Sequence, residues 1–62
     1  MREFIVCCYD KGEIKIGDEA IKFEKGDLIM TNENDMFRWL EEAHHNNIKV
    51  SIYEAKIVCD LS

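Results

Sequence analysis

Apolar and polar residues fall into short blocks over the first half of the chain, and the spacing of the apolar positions changes once, near residue 36. Phe4-Ile5-Val6-Cys7-Cys8-Tyr9 is a continuous apolar or weakly polar run that stops at the turn-forming Asp10-Lys11-Gly12. A short run rich in β-branched and aromatic side chains predicts a strand over residues 3–9. Alternation sends Phe4, Val6 and Cys8 to one face and Ile5, Cys7 and Tyr9 to the other. Both sets are apolar, so this strand is expected to be covered on both sides.

The next segments alternate more cleanly. Ile14 and Ile16 share one face while Glu13 and Lys15 share the other, which is the pattern of a half-buried strand. Gly17-Asp18-Glu19 can turn the chain, and Ala20–Glu24 alternates again with Ile21 and Phe23 inward. Glu24-Lys25-Gly26-Asp27 reads as a second tight turn, with Gly26 suited to a positive φ. Leu28-Ile29-Met30-Thr31 completes a four-strand antiparallel meander.

Asn32-Glu33-Asn34-Asp35 supplies helix N-cap candidates followed by acids, which satisfy free N–H groups and complement the helix dipole. At a helical period Met36, Trp39, Leu40 and Ala43 fall together, with Phe37 and His44 on one flank. Asn34, Arg38, Glu41, Glu42 and His45 lie opposite. Asn46-Asn47 is a good stop, since asparagine tolerates the left-handed conformation. The helix is placed at 33–45. Its stripe is broad enough to put both Phe37 and Trp39 in the core, with Trp39 the ring placed to reach an interface.

The last strand changes phase. Ile48, Val50 and Ile52 share one parity, and Ala55, Ile57 and Cys59 the other. A bulge near Tyr53-Glu54, or a bend serving two layers, would reconcile them. The predicted fold is α+β: a four- to five-stranded, mainly antiparallel sheet in ββββαβ order, with one amphipathic helix packed on one face. The last strand can return beside the first by a crossover through the helix. The sheet's second face then needs a cover.

Length sharpens that requirement. The 62 residues make one domain, 1–62, which buries only about 60% of its unfolded surface and gains from a partner subunit. The net charge of −5 disfavours nucleic acid and anionic membranes as direct partners. Residues 33–46 carry Glu33, Asp35, Glu41 and Glu42 against Arg38, so the excess sits on the helix. No segment approaches the roughly 18 apolar residues of a membrane helix. Three cysteines, an odd count, and an opening run too short for a signal peptide lead to the expectation of a reducing, cytoplasmic setting.

Candidate chemistry is sparse. Adjacent thiols in a strand point to opposite faces, so Cys7 and Cys8 cannot serve one metal or one substrate together. A zinc- or thiol-dependent site would combine Cys7 or Cys8 with Cys59, His44 and His45, but adjacent ligands lack the paired spacing of structural zinc sites. A cysteine nucleophile with His44 and Glu41 is a second arrangement, although histidines at a helix C-terminus are explained by capping. Lys11, Lys15, Lys22 and Lys25 interleave with Glu13, Asp18 and Glu24, as on an ordinary solvated sheet face.

The sequence therefore points to a small non-enzymatic protein-interaction module without a cofactor. It is expected to be homodimeric and to bind a larger protein. Interface candidates are Ile5, Cys7, Tyr9, Trp39, Glu41, Glu42 and Tyr53. The alternative is an acidic nucleic-acid mimic that uses Glu41 and Glu42 to occupy the basic groove of a DNA- or RNA-binding protein.

Overall fold

The computed structural model describes residues 2–55. They form an α+β fold in ββββαβ order: β1 (Glu3–Cys8), β2 (Gly12–Ile16), β3 (Glu19–Phe23), β4 (Leu28–Asn32), α1 (Glu33–His45) and β5 (Val50–Ala55). Ile57 and Cys59, part of the phase change in the last strand, lie outside the described residues.

The strands build two sheets where a single one is expected. β1 is the centre of a three-stranded antiparallel sheet in the order β4-β1-β5, and β2 and β3 form a separate hairpin. β1 has the longest run that is apolar on both faces, and it takes the interior position. The hairpin keeps Glu13, Lys15 and Lys22 exposed, which the middle of a sheet would not allow. β4 and β5 both run antiparallel to β1. They are therefore parallel to each other, and the β4–α1–β5 connection crosses β1. This is a split βαβ arrangement.

Local chemistry sets the connections. Ile16 pairs with Glu19, leaving a two-residue turn whose first residue, Gly17, has φ +63°. Glycine meets that angle without steric cost. In the next turn the Asp27 N–H donates to the Glu24 carbonyl at 3.1 Å and Gly26 has φ +94°, a type II geometry. Gly26 N–H also donates to the Cys8 carbonyl at 2.8 Å, and Cys8 N–H donates to the Asp27 carbonyl at 3.0 Å. These bonds stitch the turn to the end of β1.

The helix occupies the range expected from its periodicity. Asn32 is the N-cap, its side-chain oxygen accepting from Asp35 N–H at 2.8 Å. At the other end Asn47 has φ +60°. Its N–H donates to the His44 carbonyl, and Ile48 N–H donates to the Ala43 carbonyl at 2.8 Å. The two bonds make a Schellman motif.

One core lies between the three-stranded sheet and a second layer made of the hairpin and helix. Phe4, Val6 and Cys8 enter it from β1, Ile14, Ile16 and Phe23 from the hairpin, and Trp39 and Ala43 from the helix. The helix packs chiefly on β2. Trp39 meets Phe23 with ring centroids 5.5 Å apart and a tilt of 47°, within the favourable range for aromatic pairs.

Of the bulge and the bend that would reconcile the phases of the last strand, the bulge near Tyr53-Glu54 is not formed. β5 pairs with β1 without interruption from Cys8↔Val50 to Glu3↔Ala55. Glu54 takes the core-side parity at the end of the sheet, opposite Phe4. There it accepts two hydrogen bonds from the Arg2 guanidinium, at 3.1 and 3.2 Å. The same guanidinium lies 5.4 Å from the Phe4 ring centroid and 3.6 Å from a Glu33 carboxylate oxygen. A charged residue is tolerated there because Glu54 is itself exposed at the rim of the core.

Candidate functional site

The sheet buries one face and leaves the other open. Register places Ile5 between Met30 and Tyr53, and Cys7 between Leu28 and Ser51. Tyr9 extends the same face, since its hydroxyl bonds the Ser51 hydroxyl at 3.1 Å. Six large apolar side chains are exposed among the described residues: Tyr9, Leu28, Met30, Phe37, Leu40 and Tyr53. Four of the six, all but Phe37 and Leu40, stand on this face. Leu28 at 69%, Tyr53 at 57% and Met30 at 55% exposure are the most prominent there. Neither the Tyr53–Ile5–Met30 row nor the Ser51–Cys7–Leu28 row contains a charge. Three strands about 4.8 Å apart and five residues long make a surface of roughly 15 by 17 Å.

Ile5, Cys7, Tyr9 and Tyr53 are thus brought together, as the alternation of β1 implied. Leu28 and Met30 belong with them but escape a sequence reading. Their parity within β4 is clear, but which parity joins Ile5 depends on the β1–β4 register, and that pairing spans the intervening hairpin.

The helix residues divide differently. Trp39, an interface candidate, is 1% exposed and wholly within the core. Phe37, expected inside, is 60% exposed, and Leu40 is 46% exposed. At 100° per residue Phe37 stands about 160° round the helix from Trp39. A helix seated on a narrow hairpin buries a strip centred on Trp39 and Ala43, so the edge of the stripe stays in water. Glu41 is exposed and Glu42 half-buried, both away from the open sheet face.

The thiols separate as strand geometry requires. Cys8 is buried, and Cys7 is half-buried on the open face. Burial pushes the Cys8 thiol above its ordinary value of 9.0, with smaller contributions from the Asp27 charge and from Cys7. Such a thiol is a poor nucleophile at neutral pH. His44 and His45 are exposed in the last helical turn, and Cys59 lies outside the described residues. Among the described residues no three His, Cys, Asp or Glu side chains are grouped to hold a metal ion. No helix among them is long and apolar enough to cross a membrane.

No protein-family model matches the chain, and no curated protein or solved structure is similar to it. The functional reading rests on the geometry.

Proposed function

We propose that the protein is a small interaction module that works by binding protein, and that its open sheet face is where two copies meet. The observation that carries this reading is the uncharged apolar surface of Ile5, Cys7, Leu28, Met30 and Tyr53. Water contact with that surface is unfavourable by about 25 cal/mol per Å², and a twofold partner presents the same uncharged surface in return. The face is smaller than the roughly 800 Å² per partner of a standard interface. Self-association in the micromolar range is therefore expected, with exchange between monomer and dimer. A regulatory partner of a larger, cytoplasmic protein is the role this architecture suits.

Sedimentation equilibrium across a concentration series tests the reading. The chain should shift from 7.3 kDa towards twice that mass over tens of micromolar. The Leu28→Lys, Tyr53→Lys double variant should stay monomeric with an unchanged circular dichroism spectrum. A wild-type chain that remains monomeric throughout that range defeats the dimer.

The nucleic-acid-mimic reading draws less support. It needs several free carboxylates in a row. Glu33 is paired with Arg2 at 3.6 Å, and Asp35 is engaged by the Asn32 cap.

A further inference from the structure

The sheet has a second unfilled feature, at its β4 edge, which shares Met30 with the open face. Among the described residues β4 is an edge strand, hydrogen-bonded to β1 alone. Alternate N–H and C=O groups along Leu28–Asn32 therefore point away from the sheet, and among the described residues none of them finds a backbone partner there. Edge strands are commonly blunted by lysine, proline or a bulge. Leu28-Ile29-Met30-Thr31-Asn32 has no charge and no proline, and it pairs without a bulge.

A groove of about 380 Å³ runs along this edge, lined by the consecutive residues 29–32 of β4. Consecutive residues line a groove together only when the strand offers its edge. Ile16 and Ile21 of the hairpin give the far wall an apolar surface, and Glu3, Glu19 and Asp35 supply carboxylates. Among the described residues no lysine, arginine or histidine lines it.

We infer that this edge groove accepts an extended, lysine- or arginine-bearing segment of a protein partner as an added strand. Backbone pairing to β4 supplies the hydrogen bonds, and the hairpin isoleucines receive apolar side chains of one parity. The three carboxylates select a cationic segment. They also select against a second copy of this chain, which would bring its own Glu3, Glu19 and Asp35 into the same groove.

Peptides of about seven residues, long enough to cover the five-residue β4, test the inference. The probe alternates valine and lysine, and a control alternates valine and glutamate. Two further probes carry N-methyl groups on alternate amides of the lysine peptide, in the two possible phases. Titrated into the ¹⁵N-labelled full chain, the lysine peptide should shift the amides of residues 29–32, Ile16 and Ile21. The glutamate peptide and one N-methylated phase should bind at least about tenfold more weakly. The exposed Glu19→Lys substitution should weaken the lysine peptide severalfold without altering the fold. The Tyr53→Lys variant, which alters the self-association surface on β5 and leaves β4 untouched, should bind it normally. The inference is overturned if the lysine peptide does not bind, if glutamate serves as well, if neither methylated phase weakens binding, or if the shifts fall on β5.

Discussion

Gly12 shows how tightly single residues are constrained. A Cβ built there would lie 2.8 Å from Ile48 Cδ1 and 3.2 and 3.3 Å from two atoms of the Phe23 ring. The isoleucine tip can move, but the ring is held between the hairpin and Trp39. Gly12→Ala should therefore cost about 1–3 kcal/mol of stability, read by urea unfolding. Cys8 gives a second residue-level expectation. Its folded-state pKa is raised, so the folded protein holds the proton more tightly than the unfolded chain does. The associated stability is fully present below the ordinary thiol value of 9.0 and is lost as the pH rises from there through the folded value. Thermal unfolding followed above pH 9 should show that decline, and Cys8→Ala should reduce its slope. A slope unchanged in Cys8→Ala would assign the decline to other groups.

At the scale of elements, the helix is specified largely by its ends. Asn32 caps its first turn through the 2.8 Å bond that Asp35 N–H donates to its side-chain oxygen. Asn32→Ala should remove about 1 kcal/mol. Asn47 holds the left-handed position of the Schellman motif. Glycine adopts that angle without the Cβ penalty, so Asn47→Gly should add roughly 0.5 kcal/mol. Paired urea titrations of the two variants should move in opposite directions. These ends were legible in the sequence because capping is a contact among neighbours. The separation of β2–β3 from the main sheet was not. Either topology satisfies the same alternation, and the choice depends on which strand can be buried on two sides at once.

For the whole molecule, the open face links the oligomeric state to the reactivity of one thiol. Cys7 stands between Leu28 and Ser51 on that face, while Cys8 lies in the core. Iodoacetamide should therefore modify Cys7 well before Cys8. If two copies meet through the face, Cys7 should also react more slowly as protein concentration rises through the self-association range. Peptide mapping assigns each adduct to its residue. Concentration-independent modification of Cys7 would count directly against the dimer geometry.

The sequence by itself determined the local order: which segments become strands or helix, where the turns fall, and that β1 carries apolar side chains on both faces. Those features arise from periodicity, glycine and asparagine conformations and capping, all of which act over a few residues. The tertiary structure decided the rest. Pairing β1 with β4 across the hairpin placed Leu28 and Met30 beside Ile5 and Cys7. Seating the helix on β2 sent Trp39 inward and left Phe37 in water. The exposed position of Glu54 at the rim of the core allowed it to be met by Arg2. Each depends on distant segments competing for the same buried surface, and alternation along the chain leaves that competition open.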